Sequence, residues 1–121
     1  MVGCAVARRL SLAGISVVLL EKASDILDGA SKGNSAILHT GFDAPEGSLE
    51  LACIRSGYRE YLEIRESLNL PLLKTGALVA AWIPEEEERF PEILEKARNN
   101  GIEDLSKLRR QEILVMEPDI S

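Results

Sequence analysis

The sequence is poor in the residues that build disulfide frameworks, metal centres and nucleic-acid interfaces. Its 121 residues contain two cysteines and one histidine, and aromatic residues make up 4%. Cys4 and Cys53 have neither the density of a secreted disulfide scaffold nor the spacing of a zinc site. The 14 basic residues are outnumbered by 20 acidic ones, so the net charge is −6. Because nucleic-acid affinity depends on clustered Lys and Arg, we expect no nucleic-acid partner.

Long apolar runs are absent as well. No stretch approaches the ~20 apolar residues that a membrane-spanning helix needs, so no transmembrane segment is predicted. Arg8 and Arg9 follow the first apolar residues instead of preceding them, unlike in a secretory signal peptide. A hydrophobic content of 45% is ordinary for a globular chain. We therefore expect a cytoplasmic protein, or a mitochondrial one if a targeting segment preceded Met1.

One acidic cluster raises the question of a metal. Glu85 to Glu88 directly follow Pro84, and acidic residues at a helix start complement the helix dipole. A metal site is the alternative, but adjacent glutamates without His or Asp are typical of a solvated helix face. We therefore predict no metal site.

The first twenty-two residues have the pattern of half a nucleotide-binding unit. Gly3 leads into an apolar helix, Gly14 ends it, and residues 16–20 are an apolar, β-branched run typical of a parallel strand covered on both faces. Glu21 follows about 20 residues beyond the turn, where such units place the carboxylate that accepts hydrogen bonds from the adenosine ribose. An ordinary helix–strand pair explains these residues equally well.

The other half of that unit is not in the sequence. A complete unit begins with a strand and G-x-G-x-x-G, and Gly3 matches only the last of those glycines. We interpret the chain as an N-terminally truncated fragment of a longer protein. The alternative is that the likeness is accidental.

A glycine-punctuated loop over residues 22–34 follows. Its small polar residues and one cation suit a phosphate, although a plain surface loop has the same composition. Residues 36–41 then predict a short buried strand that carries His39, the only histidine.

Taken in order, these segments resemble the N-terminal region of the FAD-dependent oxidoreductases of the D-amino-acid oxidase superfamily. The branches that they resemble most are the glycerol-3-phosphate dehydrogenase-like proteins and the L-2-hydroxyglutarate dehydrogenases. The specific element is Asn34–Gly41, which has the pattern Asn-Ser-x-x-x-His-x-Gly. The likeness continues through Gly47-Ser48-Leu49, Thr75–Ala80 and Met116-Glu117-Pro118, and so covers nearly the whole chain.

The resemblance implies an α/β fold. Residues 1–69 would be an incomplete Rossmann-like FAD/NAD(P)-binding domain whose first strand is missing, and residues 70–121 the beginning of an α+β substrate domain. Within these, Ser48 is expected to cap a helix that runs to about Asn69.

The remaining elements are predicted from local signals. Residues 73–82 and 105–108 favour strands, and Pro91 favours the start of a helix that Gly101 ends. A last helix is predicted over residues 110–117, where Pro118 stops it.

The resemblance also implies an FAD site. Gly3 would line the cofactor, Glu21 would hold the adenosine ribose and Lys22 would lie beside the adenine. The residues implied near the pyrophosphate, the ribityl chain and the ring system are Ser31, Lys32, Asn34 and Ser35. His39 is the candidate catalytic residue, and three roles stay open for it: lining the flavin ring, anchoring the flavin covalently, or packing against backbone.

The function that the resemblance implies is hydride transfer from a small hydroxy acid or polyol phosphate, such as glycerol 3-phosphate, to FAD. Oxidation of L-2-hydroxyglutarate or of an amino acid is an alternative, and a non-catalytic truncated product is another. The partner is a small-molecule substrate, with an electron acceptor or a peripheral membrane contact for the full-length protein. We expect the 121 residues alone to be inactive.

Overall fold

The computed structural model describes residues 1–120, and their regular secondary structure is helical. The chain divides into two compact units, Met1–Ile37 and a second unit that begins at Leu38. The helices are α1 (Val2–Leu12), a 3₁₀ helix (Ala30–Gly33), α2 (Leu49–Ile64), α3 (Pro84–Glu87), α4 (Phe90–Asn99) and α5 (Arg110–Met116). The predicted domain boundary after Asn69 stays a prediction. The division at Leu38 separates compact parts of the chain and does not identify which part would bind the substrate.

The four predicted strands do not form within residues 1–120. Segments 16–20, 36–41, 73–82 and 105–108 contain no strand, and no sheet hydrogen bonds connect them. A strand exists only beside a partner that takes its backbone hydrogen bonds, and these segments have none in the described part of the chain. The predicted α/β class is therefore not confirmed by the structure.

The segment predicted to be buried on both faces is also open to solvent. Val18 is 83% exposed and Leu20 is 87% exposed. Apolar side chains lose the benefit of burial when no second layer covers them, so the burial predicted for residues 16–20 is wrong for the described chain.

The end of α1 confirms the prediction made from Gly14. Gly14 has φ of 77°, a conformation that glycine adopts without a Cβ penalty. Its N–H donates to the Ser11 carbonyl at 3.0 Å, and the Ile15 N–H donates to the Leu10 carbonyl at 3.1 Å. These two bonds form a Schellman motif, which satisfies the last carbonyl groups of the helix.

Helix α2 begins where its sequence predicts but ends earlier, at Ile64 and not near Asn69. The Ser48 hydroxyl accepts a hydrogen bond from the Leu51 N–H at 3.1 Å, which caps the helix start. Past Ile64 the chain continues in turns to Asn69, whose φ is 51°. The Leu70 N–H then donates to the Arg65 carbonyl at 2.7 Å, which closes these turns at Asn69.

Helix α4 follows the same rules. Pro91 lies in its first turn, where a missing N–H costs nothing. Gly101 has φ of 70°, and the Ile102 N–H donates to the Ala97 carbonyl at 2.9 Å. The predictions that Pro91 starts this helix and that Gly101 ends it are confirmed. Helix α5 ends at Met116, close to the predicted stop before Pro118.

The core lies in the second unit. Its buried apolar residues are Ala44, Leu51 and Ala97, and the polar Asn100 is fully buried beside the end of α4. No residue of the first unit is buried. Burial thus concentrates where α2, α4 and the loop that follows His39 meet.

Membrane and metal features complete the description. None of the helices within residues 1–120 has the length and apolar content to cross a membrane. In the same residues, no three histidine, cysteine or carboxylate side chains converge as metal ligands would. Cys4 and Cys53 are free, exposed thiols.

Candidate functional site

Gly3 lies where α1 approaches the segment that follows it. A Cβ atom built on Gly3 would lie 3.2 Å from Leu19 Cδ1, which is tighter than an ordinary contact. A larger residue would displace Leu19, so the missing side chain lets the helix lie against this segment. The structure therefore gives Gly3 a packing role, and its contact with a cofactor stays a prediction.

Glu21 shapes the backbone just after residues 16–20. Its Oε1 accepts a hydrogen bond from the Ala23 N–H at 2.9 Å. The side chain is exposed, and its second oxygen has no hydrogen bond within residues 1–120. Asp25 makes the matching bond to the Leu27 N–H at 3.1 Å. Two exposed carboxylates thus share one local geometry, and the contact of Glu21 with a ribose stays a prediction.

Asn34 fixes the loop that the sequence singled out. Its Nδ2 donates to the Ser31 carbonyl at 2.5 Å, and its Oδ1 accepts from the Ala36 N–H at 2.7 Å. Both ends of the amide are therefore used inside the protein. Ala36 has φ of 55°, which is strained for a residue with a Cβ and persists only when its surroundings hold it. Asn34 supplies that restraint, so it shapes the loop more than it offers groups to a ligand.

The groups left available in this loop are hydroxyls and a cation. Ser31 is half-buried, while Lys32 and Ser35 are exposed. A carboxylate with one oxygen available, two hydroxyls and an ammonium group match the donors and acceptors that a ribose and a phosphate require. The donor set therefore fits a nucleotide. No hydrogen bond or ion pair connects Glu21 or Lys22 with residues 31–35 in the described chain.

His39 belongs to the second unit and is exposed. Its imidazole makes no hydrogen bond within the described residues. Ile37, two positions earlier, is 62% exposed, so the expected buried strand around His39 is wrong for residues 1–120. Burial begins just after it, at Gly41, which is buried with φ of 90°.

Gly41 is held closely against α2. A Cβ atom at Gly41 would lie 2.9 Å from Leu51 Cδ1 and 3.3 Å from Ile54 Cγ2. The buried Leu51 and the half-buried Ile54 thus occupy the space that any other residue would need, and the positive φ adds a second reason for glycine. The chain two residues after His39 therefore has a fixed place on the helix.

Sequence reasoning missed Asn100, which holds the same loop from the opposite side. Its Nδ2 donates to the carbonyl oxygens of Gly41 at 2.8 Å and Ala44 at 2.9 Å, with Phe42 at 3.5 Å. The residue is fully buried. The pair Asn100-Gly101 signals a helix end, but its partners more than fifty positions away leave no mark in the local sequence.

A cleft of about 270 Å³ opens in the second unit next to this loop. Its lining comes from Phe42, Asp43, Val79, Arg89, Glu92, Ile93 and Lys96. Two cationic and two acidic side chains offset one another there, so the cleft has no net charge with which to select an anionic substrate. We assign it no ligand.

One residue of the acidic cluster, Glu87, forms an ion pair with Lys107. Lys107 Nζ lies 2.7 Å from Glu87 Oε1 and 5.7 Å from the centroid of the Phe90 ring. The hydrogen bond from Lys107, and then its charge, lower the pKa of Glu87. This contact ties α3 to the segment that precedes α5.

Comparison with known proteins assigns a family. The model of the family described as FAD dependent oxidoreductase matches residues 1–121. The chain is 34% identical over 121 residues to a glycerol 3-phosphate dehydrogenase of Caloramator mitchellensis, covering 100% of this chain and 25% of that protein. It is 32% identical over 120 residues to a mitochondrial L-2-hydroxyglutarate dehydrogenase of Caenorhabditis elegans, covering 98% of this chain and 28% of that protein.

A third relative is a glycerol 3-phosphate oxidase of Mycoplasma pneumoniae, which is 29% identical over 124 residues. That alignment covers 100% of this chain and 32% of the oxidase. The chain therefore spans about a quarter to a third of the length of these relatives. No solved structure matches the chain.

Proposed function

Because the chain belongs to the family of FAD-dependent oxidoreductases, we propose that it is the N-terminal part of an enzyme that transfers a hydride to FAD from a small hydroxy acid or a polyol phosphate such as glycerol 3-phosphate. The match over residues 1–121 carries this proposal. The names of the relatives, glycerol 3-phosphate dehydrogenase and oxidase and L-2-hydroxyglutarate dehydrogenase, support the substrate class.

The FAD-binding domain of this family has a Rossmann-like fold. We propose that α1 and residues 16–20 form the helix and the next strand of such an α/β domain. The apolar, β-branched composition of residues 16–20 supports this, since parallel strands covered on both faces have such sequences. Residues 1–69 would then be the cofactor part, and the chain from residue 70 would begin an α+β substrate domain.

Glu21 and the loop over residues 31–35 would hold the cofactor. The available oxygen of Glu21 would accept hydrogen bonds from the adenosine ribose, with Lys22 beside the adenine. Ser31, Lys32 and Ser35 would donate to the pyrophosphate or the ribityl chain, while Asn34 keeps the loop in shape through its bonds to the Ser31 carbonyl and the Ala36 N–H. Gly3 would allow α1 its close approach.

His39 would act at the flavin ring. FAD, when bound, supplies the acceptor for a hydride. The imidazole is exposed and makes no hydrogen bond to the described chain, so both ring nitrogens are available to a substrate hydroxyl or to the flavin. A covalent bond between His39 and the flavin is the alternative role. Acid precipitation of the flavoprotein distinguishes this role from lining of the flavin ring.

Other parts of the proposal concern the complete protein. Oxidation of L-2-hydroxyglutarate or of an amino acid stays an alternative, and so does a non-catalytic truncated product. We propose that the reduced flavin passes its electrons to an acceptor, reached either in solution or at a membrane surface. The location, cytoplasmic or mitochondrial, stays a prediction.

Anaerobic flavin reduction tests the proposal. The purified full-length protein, of which these 121 residues are proposed to be the N-terminal part, is assayed for bound FAD. It is then mixed without oxygen with glycerol 3-phosphate, L-2-hydroxyglutarate or, as a control, D-2-hydroxyglutarate. We expect bound FAD and loss of its visible absorption with one of the first two compounds. A protein that retains no FAD would overturn the proposed function, and bound FAD that neither substrate reduces would overturn the proposed substrate class.

A further inference from the structure

We propose that Asn100 is a positioning residue for His39: its buried amide fixes the backbone that carries the imidazole. The inference rests on the proposed role of His39 in the flavoenzyme. Asn100 lies at the end of α4, far along the chain from the cofactor-binding residues, and it acts through the loop 41–44 without touching a substrate.

The hydrogen bonds fix the orientation of the Asn100 amide. Nδ2 lies 2.8 Å from the Gly41 oxygen and 2.9 Å from the Ala44 oxygen, and carbonyl oxygens accept only from a donor. The other end of the amide, Oδ1, is buried without a hydrogen-bond partner in the described chain. Burying an unpaired oxygen is costly. An amide is therefore held here for its two N–H donors, which an apolar core residue would not supply.

The loop is restrained on its other side by packing. Leu51 and Ile54 of α2 lie within 3.3 Å of the position that a Cβ of Gly41 would take. The Ala44 N–H also donates to the Gly41 carbonyl at 3.2 Å, which closes the turn. Gly41 is therefore clamped between a helix face and a hydrogen-bond donor from a second helix.

This clamp lies close to His39 along the chain. Two residues of extended chain span at most about 7 Å, so the position of Gly41 limits where the His39 backbone can lie. The His39 side chain has no hydrogen bond of its own within residues 1–120 to hold it. Its position therefore depends on the backbone anchor at Gly41, and the anchor depends on Asn100.

A double-mutant cycle on flavin reduction in the holoenzyme tests the inference. Asn100→Ala should slow reduction by about ten- to a hundredfold, because a displacement of roughly 1 Å at a reacting group has effects of that size. In the His39→Ala background the same substitution should change the rate by less than about twofold, since a residue acting through His39 has nothing left to position.

Two control variants separate positioning from loss of stability. Asn99→Ala removes the neighbouring amide, which is exposed and makes only a 3.4 Å bond to Glu46, and it should leave the rate unchanged. Ala97→Gly weakens α4 at a buried position without removing the clamp, so it should lower the melting temperature but not the rate of flavin reduction. If Asn100→Ala does not fold, Asn100→Ser retains one donor and should give an intermediate rate in the same cycle.

Hydrogen exchange provides a second readout that needs no turnover. In the flavin-free protein, amides of residues 41–44 should exchange faster in Asn100→Ala than in the wild type, and Asn99→Ala should match the wild type. Equal slowing by Asn100→Ala in both His39 backgrounds, or unchanged exchange, would overturn the positioning role alone. A normal rate in His39→Ala itself would overturn the proposed role of His39 and the inference with it.

Discussion

The side-chain amide of Asn100 donates a hydrogen bond of 2.8 Å to the carbonyl oxygen of Gly41, 59 residues earlier in the chain. This bond joins the end of α4 to the loop that leaves His39. Asn100 is the buried polar residue of the described chain, and the bond places it beside Gly41. Because Gly41 has no Cβ, the loop can pack on α2. The buried core of the second unit therefore begins close along the chain to the candidate catalytic histidine.

The first prediction concerns the stability that Asn100 provides. Asn100→Ala leaves the Ala44 carbonyl oxygen without its donor, leaves the Gly41 carbonyl oxygen with only the Ala44 N–H, and opens a small cavity. Together these should cost about 2–4 kcal/mol in the free energy of unfolding. Asn99→Ala, an exposed substitution, should stay within about 0.5 kcal/mol of the wild type. Urea unfolding of the holoenzyme measures both. Equal decreases in the free energy of unfolding for Asn100→Ala and Asn99→Ala would contradict a stabilising role for the buried Asn100 amide.

The second prediction compares two glycines with positive φ. A Cβ atom at Gly41 (φ 90°) would lie 2.9 Å from Leu51 Cδ1, whereas a Cβ atom at Gly47 (φ 67°) would have no atom within 4 Å. Alanine at either position pays the left-handed backbone penalty, but only Gly41→Ala also overpacks the core. We therefore expect Gly41→Ala to be about 1–3 kcal/mol less stable than Gly47→Ala in thermal or urea unfolding. The same stability for both variants would show that the contact with Leu51 relaxes freely.

The third prediction is a pH dependence at Glu87. Lys107 lowers the pKa of Glu87, so the pair stabilises the folded state above the unfolded-state pKa of the carboxyl, and this contribution is lost as the pH falls through the lower, folded-state pKa. Lys107→Met should return the Glu87 pKa toward its ordinary value in a carboxyl ¹³C NMR titration. Lys74→Met, which removes a lysine with no described ion pair, should leave it unchanged. A Glu87 titration that is insensitive to Lys107→Met would contradict the structure.

The agreement between sequence and structure is best where a few neighbouring residues decide the outcome. Gly14, Ser48 and Gly101 end or begin helices through bonds to groups within five positions. Such caps are readable from the sequence because their partners are close along the chain.

The failures have one physical cause. Residues 16–20 and 73–82 have the composition of strands, but a strand depends on a hydrogen-bonding neighbour that no local pattern specifies, and the described chain supplies none. The Asn100–Gly41 hydrogen bond was not predicted for the same reason, since it joins residues that are 59 positions apart and no local pattern specifies it. The nucleotide-binding residues, predicted from the spacing of Glu21 and from the resemblance, stay predictions, and the structure explains only how Asn34 restrains its loop.

The fourth prediction separates the roles left open for His39. If the flavin is only lined by the imidazole, acid precipitation of the holoenzyme should release all of it into the supernatant, in the wild type and in His39→Ala. A covalent bond would instead leave flavin fluorescence in the wild-type pellet and remove it from the His39→Ala pellet. We expect release in both, together with slower flavin reduction in His39→Ala. A fluorescent wild-type pellet would contradict ring lining.

A packing role for His39 makes a different prediction. Its loss would lower the melting temperature while the rate of flavin reduction stayed at the wild-type value. The exposed position of the side chain argues against this, because a side chain in water has few contacts to lose. His39→Ala should therefore unfold at nearly the wild-type temperature.

The measurement that tests the central claim most directly is FAD titration of the flavin-free protein with and without the Glu21 carboxylate. Asp25→Ala is the matched control, because Asp25 is an exposed carboxylate that accepts from the N–H two residues on, as Glu21 does. If Glu21 holds the adenosine ribose, Glu21→Ala should cost about 1.5–3 kcal/mol of FAD affinity while Asp25→Ala costs none. Equal dissociation constants for the wild type and both variants would contradict the assignment of this chain as the FAD-binding part of the enzyme through Glu21.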